Sequence, residues 1–364
     1  MLKTLAMLSF TSLLSIIVFT SCNREADRRA ERDQNIGYWK GTLTEFKSQK
    51  GHLHLISTSD ESLTLRAGTS QFTGTLQNLD ANQREVELVF KNILPSLDIV
   101  FESSLAVTLQ ESQMRTQKTY TLTLPPSTKT TFTANYPEPE SFTFLAMGDI
   151  QNGIEDIDGV VSKVNEFRQQ VDFLLFLGDA TMRSGKDEFE KVKEAFDQIE
   201  IPIYSTPGNH DVSSFGLYQD LFGLANYSFI HKGVRFTSID SGDWGLGEKT
   251  WNNLKSWLKQ GSSGPHVLYS HIPPKDVNGV RGGHWRSRRE AHSFLGHAAK
   301  YNVDAMFFGH LHTLDQYQLA GIPTVVSGGA GAFEEIFDGI GRHLVKVVVQ
   351  PSQSQFLTTV VRID

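Results

Sequence analysis

The sequence predicts a layered α/β domain that follows a small all-β domain. Three observations support this division. Segments between Tyr38 and Leu124 alternate apolar and polar residues at period two, as half-buried strands do. From Phe142 onward, short apolar runs alternate with stretches of helical spacing. Between them lies a segment rich in Pro, Thr and Glu without periodicity, and 364 residues are comfortable for two domains.

The first domain, residues 37–124, is expected to be an antiparallel sandwich or barrel. The alternating runs are Leu53–Leu55, Ser62–Leu65, Glu85–Phe90 and Tyr120–Leu124. His52 and His54 are expected to be exposed strand or turn residues rather than metal ligands. Residues 125–140 are interpreted as the linker.

The second domain, residues 141–364, begins with an apolar strand at Phe142–Met147. Further strands are predicted at Phe173–Leu177, Ile201–Ser205, His266–Tyr269, Ala305–Phe308, Gln316–Leu319, Pro323–Ser327, Leu344–Val349 and Leu357–Val361. Helical spacing falls near 157–167, 189–199, 251–258 and 288–301. Ligands of such α/β sheets bind beyond the carboxyl ends of the strands.

The composition, 39% apolar and 21% charged, is that of a globular protein and excludes disorder throughout. The formal net charge of -7 provides no general attraction to nucleic acid or anionic lipid. No specific nucleic-acid binding is therefore expected, whereas bound cations would offset part of this charge.

The N-terminus has the pattern of a secretory signal peptide: a basic start at Lys3, an apolar run from Leu5 to Phe19, then small residues. The ending Phe19-Thr20-Ser21-Cys22 resembles a bacterial lipobox, in which the cysteine becomes the lipidated first residue. Residues 1–21 would then be the signal peptide and residues 22–36, polar and mixed in charge, a solvated tether. An uncleaved membrane anchor is the alternative. Either way the rest is expected outside the cytoplasm, at the outer membrane if the source has two membranes. Cys22 is the only cysteine, so no internal disulfide can form.

Five polar clusters directly follow predicted strands, and most contain a glycine that allows a tight turn. They are Gly148-Asp149-Ile150-Gln151, Gly178-Asp179, Pro207-Gly208-Asn209-His210-Asp211, Ser270-His271-Ile272-Pro273-Pro274 and Gly309-His310-Leu311-His312. Five such clusters projected to one edge of a layered core indicate a metal site.

The donor types fit phosphate ester hydrolysis. Two divalent ions about 3.5–4 Å apart supply a hydroxide from a bridging water and stabilise the charge that develops on the phosphoryl oxygens. Carboxylate, imidazole and amide donors together suit Mn, Fe or Zn better than Mg or Ca. Two such ions are the expected cofactors, and a phosphoester is the expected substrate.

The series GD-x-Q, GD, GNHD, H-x-P and GH-x-H resembles the calcineurin-like metallophosphoesterase superfamily over about residues 141–350. The resemblance implies a four-layer sandwich of two sheets flanked by helices. It also implies that Asp179 bridges the two metals, that Asp149 and His312 complete the first, and that the second is held by Asn209, His271 and His310. His210 is implied to contact substrate or to protonate the leaving oxygen.

Two positions, Gln151 and Met182, depart from the patterns of the superfamily, Met182 from two of them. Gln151 replaces the histidine of D-x-H, and either ligates a metal directly or through water or forms only a loop hydrogen bond. The first metal is therefore expected to bind more weakly than the second. Met182 stands where purple acid phosphatases have tyrosine, and where protein phosphatases have the aspartate that orients the catalytic histidine. Arg183 is interpreted either as a phosphate clamp or as a surface arginine.

The loop that contains His284 is Gly-rich and carries several arginines; it either overhangs the site and binds an anionic substrate or is a solvated helix start. The predicted function is a phosphate ester hydrolase anchored by lipid outside the cytoplasm. The alternative is a non-catalytic binding or scaffold protein with a degenerate domain, which Gln151 and the missing aspartate would favour. The sequence does not indicate the oligomeric state.

Overall fold

The computed structural model describes residues 25–102, 105–134, 140–279, 282–334 and 339–364. The predicted signal peptide and Cys22 lie outside the described residues. Within these ranges, no helix has both the length and the apolar character needed to span a membrane.

The first domain has ten strands in two five-stranded sheets, with orders β1-β2-β5-β10-β7 and β3-β4-β6-β9-β8. The strands are β1 (Tyr38–Lys40), β2 (Thr44–Lys50), β3 (Leu53–Thr58), β4 (Ser62–Ala67), β5 (Phe72–Asn78), β6 (Arg84–Lys91), β7 (Ile99–Phe101), β8 (Ala106–Gln110), β9 (Gln117–Leu124) and β10 (Lys129–Ala134). Buried side chains from both sheets, including Phe46, Phe72, Phe90 and Phe132, form one core between them. The predicted β-rich domain is present as a sandwich, but it is not wholly antiparallel as expected, because β4 pairs parallel with β6.

Strand β10 lies inside residues 125–140, which the sequence analysis interpreted as a linker. It pairs antiparallel with β5 and β7, near the middle of its sheet. Thr130, Phe132 and Ala134 point into the core, whereas Lys129, Thr131 and Thr133 are more exposed. The sequence pattern did not reveal this six-residue strand, because its flanks are rich in proline and its inward positions contain only one large apolar residue.

The second domain also has two sheets, with orders β13-β12-β11-β20-β21 and β14-β15-β16-β17-β19-β18. Its strands are β11 (Phe142–Met147), β12 (Phe173–Phe176), β13 (Ile203–Ser205), β14 (Tyr227–His231), β15 (Val234–Ser238), β16 (His266–Tyr269), β17 (Ala305–Phe308), β18 (Leu314–Leu319), β19 (Ile322–Ser327), β20 (His343–Gln350) and β21 (Gln355–Arg362). Residues 25–33 form helix α1. The other helices are α2 (Ile157–Glu166), α3 (Lys186–Phe196), α4 (Phe215–Phe222), α5 (Glu248–Gly261) and α6 (Arg288–Lys300), with short 3-10 turns at Gln151–Asp156, Val212–Ser214 and Pro351–Gln353.

Three apolar cores hold this domain together as four layers. One lies between α2, α3 and α4 and the first sheet. A second, rich in phenylalanine, fills the space between the two sheets. The third packs α5 and α6 on the second sheet. The predicted α/β architecture is confirmed, and the sequence analysis missed only elements of modest pattern such as α4 and β14.

The direction of the central strands positions the functional residues. Strands β11, β12 and β13 run parallel in the first sheet. Strands β15, β16, β17 and β19 run parallel in the second. The carboxyl ends of each parallel set lie along one edge of its sheet, and the loops that follow β11, β12, β13, β16 and β17 carry the five polar clusters.

The β-domain packs on the edge of the first sheet of the α/β domain. The side chain of Asn92 accepts a hydrogen bond from the Ile203 amide and donates to its carbonyl, at 2.8 and 3.0 Å. His52 and His54, predicted to be exposed, are 4% and 9% exposed. A Cβ added to Gly223, just after α4, would lie 2.5 Å from Nε2 of His52, so the two domains are in close contact there.

Residues 25–36 also differ from the predicted solvated tether, because residues 25–33 form α1 and pack on the α/β domain. Ala26, Arg29 and Ala30 are at most 5% exposed, and they share one helix face with Asp33. Alanines allow a close approach between helix and domain, and the charged residues find partners there. The polar composition therefore reflected a docked helix rather than a solvated one.

Candidate metal centre

The predicted ligands meet where the two sheets end. Asp149 follows β11, Asp179 follows β12 and Asn209 lies beyond β13, all in the first sheet. His271 follows β16, and His310 and His312 lie just beyond β17 in the second sheet. Except for the partly buried Asn209, these side chains are at most 7% exposed.

The backbone at this site adopts a conformation that ordinary residues rarely use. Five of the predicted ligands have positive φ angles: Asp149 (66°), Gln151 (40°), Asp179 (56°), His310 (73°) and His312 (44°). Left-handed backbone at such residues costs about 1–3 kcal/mol each and persists only where the surroundings impose it. This clustering of strain marks the ligand loops as a functional site.

Glycines between the ligands allow the loops to approach one another. A Cβ added to Gly208 would lie 2.0 Å from Oδ1 of Asp179 and 2.4 Å from its backbone nitrogen. A Cβ on Gly309 would lie 2.5 Å from Oδ2 of Asp149. The glycines of the GNHD and GH-x-H motifs are thus required by the position of the carboxylates.

A compact donor group lies on the side predicted to hold the second metal. Asp179, His271 and His310 each offer one ligand atom, and these three atoms all lie within 4.8 Å of one another. Nε2 of His271 is 3.0 Å from Oδ2 of Asp179. The spacing and the donor types fit a bound cation.

The side predicted to hold the first metal is built around Asp149. Nε2 of His312 lies 3.5 Å from Oδ1 of Asp149, and the backbone amide of His310 donates to Oδ2 at 2.8 Å. Nε2 of His271 is 4.0 Å from the same Oδ1 atom. Asp149 therefore contacts residues from both halves of the site.

Two of the histidines are oriented by backbone carbonyls. Nδ1 of His271 bonds to the Leu177 carbonyl at 2.8 Å, and Nδ1 of His312 bonds to the Phe333 carbonyl at 2.9 Å. Because a carbonyl only accepts, Nδ1 carries the proton in both rings. This arrangement leaves Nε2 as the ligand atom, which is how metal-binding histidines are commonly held.

Gln151 contacts the predicted bridging carboxylate. Its Nε2 donates to Oδ2 of Asp179 at 2.5 Å, and its side chain is buried. In this orientation the amide holds Asp179 in place, as a partner of a ligand. Direct or water-mediated ligation by Gln151 stays a prediction.

The charges of the site determine the protonation states of Asp179 and His271. Burial raises the pKa of Asp179, but His271 and the amide of His210 outweigh that effect and lower it to about 2. Burial likewise lowers the pKa of His271, but Asp179 and Asp149 raise it to about 9. At neutral pH and without a cation, Asp179 is ionised and His271 carries the positive charge that a metal would replace.

His210 is partly buried and oriented by a backbone group. Its Nδ1 bonds to the carbonyl of Met182 at 2.7 Å, and its amide donates to Oδ1 of Asp179 at 2.8 Å. Met182 occupies the position of the orienting aspartate of protein phosphatases, so a main-chain carbonyl contacts the imidazole there. The side-chain sequence could not reveal this contact.

Asp211 is a structural residue of the site for which the sequence indicated no role. Its buried carboxylate accepts five hydrogen bonds, from the amides of Asp179, Ala180, Thr181 and Gly208 and from the hydroxyl of Thr181. Burial and the charge of Asp179 raise the pKa of Asp211 to about 6. Asp211 thereby joins the loop after β12 to the loop after β13, and its place in GNHD was the available signal.

The predicted substrate contacts lie farther out. The side chain of Arg183 is 83% exposed, and its Nε is 3.6 Å from Glu188. His284 lines a cavity of about 550 Å³ together with Lys275, Asp276, Arg288 and His292. Neither residue is joined to the metal ligands by a hydrogen bond among the described residues, and their roles in binding substrate stay predictions.

Trp244 is a neighbour of the site that sequence reasoning missed. Its ring meets His310 edge to face, with 4.8 Å between centroids, and its φ of 65° is rare for a bulky residue. The Arg286 guanidinium lies 5.8 Å from the centre of the tryptophan ring. The sequence around Asp243-Trp244-Gly245 contains no motif that singles out Trp244.

Comparison with known proteins shows what the α/β domain is similar to. Residues 142–314 match the model of the calcineurin-like phosphoesterase family. This match supports the predicted superfamily for that domain. Family members typically carry a dinuclear metal centre, in keeping with the donor group described above.

Two relatives show how far the similarity extends. A 3',5'-cyclic-nucleotide phosphodiesterase of Nostoc sp. is 26% identical over 171 residues, which are 43% of this chain and 62% of that protein. The chain therefore matches less than two thirds of that relative. A purple acid phosphatase from yellow lupin (Lupinus luteus) seeds is 15% identical, with a TM-score of 0.53 over 81% of this chain and 70% of the other. That similarity is one of fold.

Proposed function

We propose that this protein hydrolyses phosphate esters at a dinuclear metal centre. The observation that carries the proposal is the convergence of the buried side chains of Asp179, His271 and His310, whose ligand atoms lie within 4.8 Å of one another at the ends of two sheets. The match of residues 142–314 to a phosphoesterase family supports the reaction type.

The residues fit a pair of cations. Oδ1 of Asn209 is buried and has no hydrogen-bond partner among the described residues. Buried polar atoms without a partner are rare because their desolvation is costly. This atom belongs to the predicted second site, where coordination would satisfy it.

Asp179 would bridge the ions. Asp149 and His312 would hold the first, with Gln151 as a further donor, and the second would be held by Asn209, His271 and His310. The mixture of imidazole, carboxylate and amide donors favours Mn, Fe or Zn. Bound together, two such ions activate a water molecule and offset the charge on the phosphoryl oxygens.

His210 is the proposed acid for the leaving oxygen. Its ring is held through Nδ1 by the Met182 carbonyl, so in the doubly protonated ring Nε2 would carry the proton that is given to the leaving oxygen. Its amide bond to Asp179 ties the position of this ring to the bridging carboxylate. Loss of the leaving group and placement of the bridge thus depend on one short loop.

The proposal is tested with the soluble Asn23–Asp364 fragment and added Mn²⁺ on aryl phosphates. Asp179→Asn and His310→Ala should each reduce kcat by more than the roughly 10–100-fold that follows loss of an outer partner of a metal ligand. A well-folded, metal-loaded protein that is inert toward a broad phosphoester panel would instead support the scaffold alternative.

The substrate class can be tested by comparing the activities of the protein on phosphodiesters and on phosphomonoesters. The similarity to a 3',5'-cyclic-nucleotide phosphodiesterase of Nostoc sp. makes phosphodiesters, 3',5'-cyclic nucleotides included, the first class to test. The ratio of activity on bis(p-nitrophenyl) phosphate to that on p-nitrophenyl phosphate separates a diesterase from a monoesterase.

We also propose that the enzyme is exported and anchored by lipid on Cys22. The signal-like apolar run and the cysteine that follows it support this location. Metabolic labelling with radioactive palmitate should label the wild type and leave Cys22→Ser unlabelled. Labelling of neither protein would exclude the lipid anchor.

A further inference from the structure

Helix α1 brings a buried cation into the domain that holds the metal centre. Arg29 is 5% exposed. Its Nε donates to Oδ2 of Asp240 at 2.6 Å, and a terminal nitrogen of the guanidinium lies 3.0 Å from Oδ2 of Asp243. Asp240 is fully buried, so without Arg29 its charge would lack a compensating cation.

Two further carboxylates fix α1 in register. Oδ1 of Asp27 accepts from the amide of Lys249 in the first turn of α5, at 2.9 Å. Asp33 accepts from the amides of Ala225 and Asn226, at 3.1 and 3.0 Å. The helix is therefore held at both ends, and Arg29 lies between these two attachments.

The loop that Arg29 holds, residues 239–244, reaches both histidines of the predicted second metal. Ser241 Oγ accepts from the Ile272 amide at 2.8 Å and from the Ser270 hydroxyl at 2.9 Å, on either side of His271 in the chain. Trp244 packs edge to face on His310, with 4.8 Å between ring centroids. The loop thus supports His271 through its neighbours and His310 directly.

We propose that Arg29 is a positioning residue of the metal centre, and that α1 belongs to the catalytic unit rather than to a tether. The guanidinium draws Asp240 and Asp243 together, which sets the loop of residues 239–244 and the strained Trp244 against the ligands of the second metal. The inference rests on the proposed function only in so far as that site binds a metal.

The test measures metal binding rather than turnover. Arg29→Met keeps most of the aliphatic stem and removes the charge. In titrations of the metal-free protein with Zn²⁺, it should weaken one of the two binding steps about tenfold or more, the scale seen for outer partners of metal ligands. The affinity of the other binding step should stay within about twofold of its wild-type value. The visible absorption of the Co²⁺ protein should change as well, because it reports coordination geometry.

The matched control is Arg28→Met, one residue earlier on α1. Arg28 is an exposed arginine whose described partner is Glu25 on the same helix. It should bind both ions as the wild type does. Arg29→Lys restores the charge without the planar fork, so its affinity should fall between those of wild type and Arg29→Met.

Equal affinities in wild type and a folded Arg29→Met would overturn the inference. If Arg29→Met does not fold, Asp243→Ala decides, because it releases the partly exposed carboxylate and keeps the pair of Arg29 with Asp240. It should weaken the same binding step, and wild-type affinity there would equally overturn the inference. A wild type that binds two ions but hydrolyses no phosphoester would refute the proposed function alone.

Discussion

Nε2 of His271 lies 3.0 Å from Oδ2 of Asp179, and both side chains are completely buried. Without a metal, this contact is an ion pair in which the histidine carries a proton. The pair occupies the centre of the proposed dinuclear site, and the neutral tautomer of His271 is already selected by the Leu177 carbonyl. The first prediction concerns that proton.

Metal binding should release the proton that His271 carries in its pair with Asp179. The pKa of His271 is raised to about 9, so at pH 7 the ring is protonated before a cation enters. Binding must displace the proton, and affinity for the second metal should rise with pH until about 9, by about tenfold per unit for one proton. Calorimetric titration with Zn²⁺ at pH 7, in buffers of different ionisation enthalpy, should show release of at least one proton. Binding that is independent of the buffer would contradict this.

The two metal sites should differ in affinity, and Gln151→His should reduce the difference. Imidazole is a stronger donor than an amide, and histidine tolerates the left-handed backbone of this position, where φ is 40°. Zn²⁺ titration of the wild type should show two unequal steps, with the weaker one strengthened in the variant. Two equal steps in the wild type would argue against the asymmetry.

His210→Ala should slow turnover most for poor leaving groups. General acid catalysis is worth about 10²–10⁴-fold, and the benefit falls when the departing oxygen needs no proton. The loss of kcat should therefore be larger with phenyl phosphate than with p-nitrophenyl phosphate. His297→Ala, which removes a half-buried histidine on α6 that does not line the cavity of His284, is the control. An equal loss on both substrates would assign His210 to binding alone.

Gly208→Ala should abolish metal binding, and its effect on the free energy of unfolding should be the smaller of the two. The added Cβ would lie 2.0 Å from Oδ1 of Asp179, and part of the clash is with backbone, so the bridging carboxylate must move. Gly296→Ala is a matched control, because its Cβ meets no atom within 4 Å on the exposed face of α6. It should leave metal binding unchanged and raise the free energy of unfolding by about 0.5–1 kcal/mol. Chemical denaturation and Zn²⁺ titration of both variants provide the comparison.

The sequence predicted the metal centre well because its signals are local. Asp149, Asp179 and His271 each follow a strand of mostly apolar residues, and parallel strands bring their carboxyl ends to one edge. Strands β11, β16 and β17 begin and end at the predicted residues. Patterns of this kind need no knowledge of distant contacts.

The features that the sequence did not predict depend on distant partners or on the main chain. Arg29 is a polar residue in a charged segment, and only its pairing with Asp240, 211 positions away, explains its burial. Met182 acts on His210 through a carbonyl, which every residue type possesses. Strand β10 contains only one large inward residue, Phe132, and its position between two other strands of the sheet supplies the rest of its stabilisation.

The docking of α1 limits how far the enzyme could travel from a membrane. If Cys22 carries lipid, only Asn23 and Arg24 separate it from the first described residue of the helix. Three Cα–Cα steps span at most about 11 Å. Such a linker is shorter than the diameter of the domain it would hold. The proposed active site would then stay close to the bilayer surface. It would meet substrates only as they approach that surface.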